Sequence, residues 1–289
     1  MPQLSLSDGT TLHYARRPVV RGAATDARAG KGGRASAAVE SEADSSADQR
    51  HNRTPVLLLH GAAAERSIWG TQLRDLPRMA PVDVVALDLP GHGRSKGPGR
   101  KRIGEYARCV ADLVATLFGR PAVIVGHSMG GAIAQTLALD HGEHVAGLVL
   151  VGTGARLRVR EDLRTGWTYD PSAAVETLIE LSYGAEASAA QLERARLRFA
   201  SADPAVAAGD FAACHDFDCM ARVTELTRPV MIVTGARDRL TPPKYARWLA
   251  ERIPDAELRI VPEAGHMVMI EQSQAVTAAI AALVERVRA

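Results

Sequence analysis

Residues 122–135 read AVIVGHSMGGAIAQ, in which an apolar, β-branched run passes without a spacer into Gly126-His127-Ser128-Met129-Gly130 and then into small residues at helical spacing. The run predicts a buried strand and the small residues a helix packed close against it, so the residues between must turn sharply. Gly126 and Gly130 flank Ser128 at the G-x-S-x-G spacing, which holds a serine in strained backbone geometry at the tip of a strand-turn-helix and pushes its hydroxyl into a cleft. The N-terminal N–H groups of the following helix point toward any negative charge that develops beside Ser128, so the turn is suited to stabilising an oxyanion. A chain with 25 glycines will produce such spacing by chance. The strand before the turn and the helix after it single out the nucleophile reading.

A serine hydroxyl is a weak nucleophile at neutral pH, and needs a base within hydrogen-bond reach that a carboxylate holds in one tautomer. Both stand downstream. His266 closes Pro262-Glu263-Ala264-Gly265-His266 after the strand expected at 257–261, and Asp238 lies in Gly235-Ala236-Arg237-Asp238-Arg239 after the apolar run at 229–235. Ser, then Asp, then His is the order expected when functional residues gather at the C-terminal ends of parallel strands. A rival place for the acid, after the run at 145–151, holds Gly152-Thr153-Gly154 and no carboxylate. Asp88 and His92 in DLPGHGRS at 88–95 offer chemistry too, but one Pro and two Gly mark a structural loop. His60 and His127 adjoin the site and serve loop structure or line it. His13, His51, His141 and His144 read as surface residues.

Around this centre, short apolar runs at 56–59, 82–87, 145–151 and 229–235, and a further strand at 257–261, alternate with helical patterns at 69–76, 103–117, 245–253 and 276–287. Runs buried on both faces, alternating with helices, predict an α/β fold: a mostly parallel central sheet with helices on both faces. Apolar positions on either side of Asp8-Gly9 predict an opening antiparallel hairpin. Between 155 and 225 the rhythm stops, and amphipathic helices broken at Gly166, Pro171, Gly184 and Pro204 form an insert. The expected organisation is core over 1–154, helical insert over 155–225 and core over 226–289. Since the Ser, Asp and His all come from core strands, the insert is expected to be removable without undoing them. Residues 17–53 carry almost no large apolar side chain and read as a disordered surface insertion. Such a loop adds only about 1.5 kcal/mol of closure cost over a short turn.

A net charge of +2, without a basic stripe interleaved with aromatics, excludes a dedicated nucleic-acid binder. No apolar stretch is long enough to span a bilayer, and MPQLSLSDGT has neither a basic nor an apolar leader region, so no membrane association and a cytoplasmic address are expected. Cys109, Cys214 and Cys219 are odd in number and read as free thiols. The stretch at 214–219 lacks paired metal-ligand spacing, and no phosphate-cradling G-x-x-x-x-G-K-[ST] occurs, so neither metal nor cofactor is expected.

At these residues the chain resembles the α/β-hydrolase superfamily, over everything except 17–53 and the helical insert. GHSMGG at 126–131 looks like the nucleophile elbow, LLLHGAAAERSIW at 57–69 like the oxyanion strand and loop, and DLPGHGRS like the D-x-x-G-x-G-x-S loop. VTGARDRLTPP at 233–243 resembles the acid turn and EAGHMVMIEQ at 263–272 the histidine loop. The resemblance implies a catalytic Ser128, Asp238 and His266, with backbone N–H groups of Met129 and Ala62 forming the oxyanion hole and Ala63 as the fallback donor. It makes the insert a cap over the site, with Ala63, His127, Trp167, Phe217 and Met267 as candidate substrate contacts. It implies cofactor-free hydrolysis of a small-molecule carboxylic ester of small or medium acyl chain through an acyl-enzyme. The alternatives on the same residues are a lactonase or carbon–carbon bond hydrolase, or a ligand-binding, receptor-like protein with little turnover. The oligomeric state is left open.

Overall fold

The computed structural model describes residues 2–17 and 53–289. Eight strands form one sheet: β1 (Gln3–Ser5), β2 (Thr11–Arg17), β3 (Thr54–Leu59), β4 (Val82–Leu87), β5 (Ala122–His127), β6 (Val145–Val151), β7 (Val230–Gly235) and β8 (Glu257–Val261). Their spatial order is β1-β2-β4-β3-β5-β6-β7-β8. The first two strands form the hairpin, Leu4 opposite Leu12, and β2 runs antiparallel to β4. All later pairs are parallel. Strand β2 extends through Arg17, which pairs with Val84, so the strand takes in the first residue of the expected disordered insertion. The rest of that expectation, residues 18–52, lies outside the described residues.

The apolar runs are continuous because both sheet faces are covered. Val56, Leu58, Val123, Val125, Val149 and Val151 face one layer, packed by α1 (Gly70–Met79) and the C-terminal helix α10 (Ser273–Arg288). Leu57, Leu59, Ile124, Leu148 and Leu150 face the other, packed by α2 (Ile103–Phe118), α3 (Met129–Asp140) and α8 (Pro243–Ala250). Each such fully buried aliphatic side chain contributes about 1.5–3 kcal/mol, so the central strands are fixed in register and their C-terminal ends form a rigid platform. Gly119 caps α2 in the left-handed region (φ 64°), where the sequence places the helix end. The helix expected at 69–76 is a 3-10 turn, Arg66–Trp69, followed by α1, which carries Pro77 in its last turn.

Between β6 and β7 stand α4 (Glu161–Tyr169), α5 (Pro171–Ser182), α6 (Ala189–Ala200) and α7 (Pro204–Asp216). Pro171 and Pro204 occupy first turns, with Asp170 and Asp203 as N-caps accepting backbone N–H groups, so these prolines start helices rather than interrupt them. Gly166, expected as a break, lies inside α4. A Cβ there would stand 3.1 Å from the Cβ of Ala174, so the glycine serves the close approach of α4 to α5. A short α9 (Val268–Glu271) precedes the last helix.

Candidate active site

Ser128 is the single residue between β5 and α3, with φ 54° and ψ −115°, a region in which an L-residue costs about 1–3 kcal/mol. The surroundings impose it. A Cβ on Gly126 would lie 2.1 Å from the Gly130 carbonyl oxygen, and one on Gly130 would lie 2.5 Å from that of Leu59, so only glycines let the turn close this tightly. The Ser128 N–H donates to Val151 O (2.9 Å), Gly131 N donates to Ser128 O (2.9 Å), and the Thr153 hydroxyl donates to the same oxygen (2.9 Å). Met129 is the first helical residue, so its N–H has no acceptor within the helix and opens beside Ser128.

Asp238 follows β7 and His266 follows β8, on the same edge of the platform. Asp238 Oδ1 accepts from the backbone N–H groups of Leu240 (2.9 Å) and Thr241 (2.8 Å), and Oδ2 accepts from the Thr241 hydroxyl (2.8 Å) and from His266 Nδ1 (2.9 Å). A carboxylate facing Nδ1 fixes the proton there, leaving Nε2 as the basic lone pair. The His266 ring lies 4.5 Å from that of His127, the residue before Ser128, so the imidazole and the Ser128 turn share one end of the sheet. Both carboxylate and imidazole are nearly sealed from solvent, each 4% exposed.

Two neighbouring histidines have other duties. His60 Nε2 accepts from Leu89 N (3.0 Å), and Nδ1 donates to Gly61 O (2.8 Å), tying the end of β3 to the loop after β4. His127 Nε2 donates to His266 O (3.1 Å). Burial pushes both rings well below the ordinary imidazole pKa, so each is neutral. Asp88 gathers its own loop by accepting from the backbone N–H groups of Arg66 (2.9 Å) and Arg94 (3.0 Å).

His92 forms a second His–Asp pair, with Asp210 of α7 (Nε2 to Oδ2, 2.7 Å). Asp210 is fully buried; the same Oδ2 accepts from Ala63 N (3.1 Å) and Oδ1 accepts from the Tyr106 hydroxyl (2.8 Å). Sequence reasoning missed Asp210, because nothing in GDFAACHD distinguishes it from the aspartates nearby. The Ala63 contact also corrects the fallback donor: that N–H is already spent on Asp210, and Ala64 N is bonded to Gly61 O (3.3 Å), while Ala62 lines the same cavity as Ser128.

A cavity of about 230 Å³ opens beside Ser128, lined also by Ala62, Leu157, Leu163, Phe211, Leu240 and Thr241. The remaining substrate-contact candidates lie outside its lining. Trp167, 1% exposed, stacks on Phe211 with centroids 6.0 Å apart and belongs to the core of the insert. Met267 is 2% exposed and packs in the same core, while Phe217 lines a separate hollow with Arg102 and Asp216. Ala63 and His127 act through the backbone contacts already given. Of the residues that do line the cavity, Leu157, Leu163, Leu240 and Thr241 carried no sequence signal beyond ordinary apolar or loop character.

The alpha/beta hydrolase family model matches residues 56–280. The chain is 30% identical over 243 residues to the pimeloyl-[acyl-carrier protein] methyl ester esterase of Aromatoleum aromaticum, covering 74% of this chain and 92% of that protein. It is 32% identical over 237 residues to the protein of the same name from Chromobacterium violaceum, covering 76% and 89%. A solved thermophilic esterase superposes with a TM-score of 0.72 at 32% identity, covering 80% of this chain and 90% of that one. The enol-lactonase from Burkholderia xenovorans LB400 superposes with a TM-score of 0.82 at 22% identity over 98% and 100%, a likeness of fold. A family match over residues 56–280, together with relatives 30% and 32% identical that cover 74% and 76% of the chain, settles the classification: the chain belongs to the alpha/beta hydrolase family.

Proposed function

We propose that this chain is a serine hydrolase that cleaves carboxylic esters of small or medium acyl chain through an acyl-enzyme, with Ser128 as nucleophile, His266 as base and Asp238 as its orienting acid. The observation that carries this reading is the Asp238 Oδ2 to His266 Nδ1 hydrogen bond of 2.9 Å, set at the same sheet end as the strained Ser128. Ser128 Oγ attacks the ester carbonyl as His266 Nε2 takes its proton. The tetrahedral oxyanion forms against the N–H groups of Met129 and Ala62, a pair of donors of which each contributes about 2.7–4 kcal/mol in the transition state. The imidazolium, stabilised by Asp238, then protonates the leaving alcohol. Water, deprotonated by His266, releases the acid and restores Ser128.

The cavity beside Ser128, about 230 Å³, is smaller than the range of about 300–1,000 Å³ usual for drug-sized ligands. That size supports a small or medium acyl group. The relatives named for ester hydrolysis support the reaction class. The helices between β6 and β7 act as a cap, since Leu163 and Phe211 wall the cavity from that side. No helix among the described residues is long and apolar enough to cross a membrane, and the three buried free cysteines support a reducing, cytoplasmic setting.

The test is covalent. A fluorophosphonate probe should label Ser128, and Ser128→Ala should abolish labelling and lower turnover of p-nitrophenyl acetate and butyrate by at least about 10⁵-fold, as nucleophile loss does in serine hydrolases. Turnover within tenfold of wild type would overturn the assignment.

A further inference from the structure

The Ser128 cavity does not end at its own walls. Arg158 and Tyr245 line it and also line a second hollow of about 300 Å³, completed by Arg156, Met220, Lys244 and Trp248. Five cations line the two together (Arg156, Arg158, Arg160, Arg239 and Lys244), and no Asp or Glu among the described residues does. The chain holds 35 basic and 33 acidic residues, so a lining of one sign does not follow from composition.

Three of the five are engaged by carboxylates outside the lining: Arg160 by Asp162 (2.6 Å), Arg239 by Glu180 (3.0 Å) and Arg156 by Asp218 (3.8 Å). Arg158 and Lys244 form no ion pair among the described residues. Arg158 donates from one Nη to the backbone oxygen of His215 (3.0 Å), which leaves most of its planar set of donors for a ligand. Lys244 Nζ stands 5.8 Å over the ring of Tyr245. Met220, Tyr245 and Trp248 supply apolar wall to the second hollow.

We infer that the two adjoining hollows form one site for esters that carry a second, anionic group, with the ester carbonyl at Ser128 and the anion on Arg158 and Lys244. This rests on the reading of Ser128 as nucleophile and adds the substrate class. A guanidinium fork takes a carboxylate or a phosphate through parallel hydrogen bonds, and an ammonium adds a mobile point charge. An apolar stretch between ester and anion would lie along Met220 and the two aromatic rings.

Matched pairs test it: monomethyl esters of straight-chain dicarboxylic acids against their neutral dimethyl diesters, with methyl ω-phosphonoalkanoates as a second anionic arm. Wild type should favour the anionic member in kcat/KM by about tenfold or more, the range of a hydrogen bond to a charged group. The preferred head, carboxylate or phosphonate, then names the group that the fork takes. The preference should shrink as salt is raised, because the groove is open to solvent. In Arg158→Met/Lys244→Met the ratio of anionic to neutral kcat/KM should fall to near one. Competitive inhibition of neutral-ester turnover by free glutarate or adipate gives the same information on unmodified protein. Calorimetric titration of the monoester and the diester into Ser128→Ala reads the anion contact without turnover. Failure of the catalytic reading would appear as ester turnover that survives Ser128→Ala, whatever the charge of the ester. Failure of this inference would appear as equal kcat/KM within each pair at low salt and equal affinity in the titration, or as a preference that persists in the double variant.

Discussion

Two buried His–Asp pairs stand among the described residues, and they differ in what each leaves free. In the first, His266 spends Nδ1 on Asp238 (2.9 Å), and no group among the described residues claims its Nε2. In the second, His92 spends Nε2 on Asp210 (2.7 Å) and Nδ1 on the Pro90 carbonyl (3.0 Å). Two acceptors on one ring require two N–H donors, so His92 is held as an imidazolium with no lone pair to offer. Burial depresses its pKa, but the charge and hydrogen bond of Asp210, with the Pro90 carbonyl, outweigh burial and hold the pKa above the ordinary value. The difference lies in the second nitrogen. A pair becomes a base when that nitrogen faces a nucleophile, and a clamp when it faces the protein.

The clamp joins three pieces of chain that are remote in sequence. Asp210 on α7 binds His92 in the loop after β4, Tyr106 on α2, and the Ala63 N–H beside the proposed oxyanion donor. It therefore holds the helical insert to the core and sets the loop that presents Ala62.

The sharpest separation of the two pairs comes from removing the carboxylate charge of each in turn. Asp238→Asn should lower kcat by about 10⁴-fold with an almost unchanged melting temperature, because the amide holds the imidazole in the wrong tautomer. Steady-state kinetics beside calorimetry measure both. A loss below about tenfold would move the acid elsewhere. Asp210→Ala should instead cost about 3–5 kcal/mol of stability, the penalty for leaving a buried partner charge uncompensated, and lower kcat far less than Asp238→Asn does. Urea unfolding measures it. A kcat loss equal to that of Asp238→Asn would erase the distinction drawn above.

The second pair also predicts a pH signature. With the folded pKa of His92 raised above its unfolded value of about 6.5, the folded state binds the proton more tightly. The resulting stability is full below the unfolded pKa and is lost as pH rises through the folded one. Urea midpoints should thus fall as pH rises from the unfolded value through the raised folded one, and His92→Gln should flatten that fall. His60 and His127, with depressed pKa values, contribute with the opposite sign: their stability is lost as pH falls below the unfolded value. A wild-type profile with no decline above the unfolded value would remove the imidazolium from the account.

Much of this was legible in the sequence, for physical reasons. Gly126, Ser128 and Gly130 fix their own backbone, and the apolar runs that become β3 to β7 can be buried only one way. Asp238 and His266 could be read because each lies in the loop that directly follows a strand. Long-range partners carry no local signal, and there the reading fell short. The expectation that the insert can be removed without disturbing the catalytic residues is the clearest case. His266 N donates to Ser182 O (2.8 Å), and Glu271 accepts from both Gly184 N (2.8 Å) and Gly265 N (3.1 Å), so the end of α5 anchors the histidine loop. The insert is part of what positions the base. Trp167 and Met267 failed as pocket residues for a related reason: aromatic or sulfur character marks a side chain for burial without saying which side of a helix meets the cavity.

The smallest effect concerns Thr241, three residues after Asp238 in the sequence and in contact with both members of the first pair. Its hydroxyl donates to Asp238 Oδ2 (2.8 Å) and stands 3.2 Å from His266 Nδ1, while the N–H groups of Leu240 and Thr241 hold Oδ1. The second pair has no such arrangement, since Asp210 is held by a phenol, an imidazole and one N–H. Thr241→Val keeps the branched shape and removes only the hydroxyl, so the backbone grip on Asp238 remains. One neutral hydrogen bond contributes about 0.5–1.5 kcal/mol, and kcat should fall by about 2- to 10-fold on that account. Thr241→Ser, which restores the oxygen, should recover most of it. A drop approaching that of Asp238→Asn would mean that the hydroxyl, rather than the two backbone donors, fixes the carboxylate. No drop at all would mean that the backbone alone suffices and that the hydroxyl serves the cavity wall.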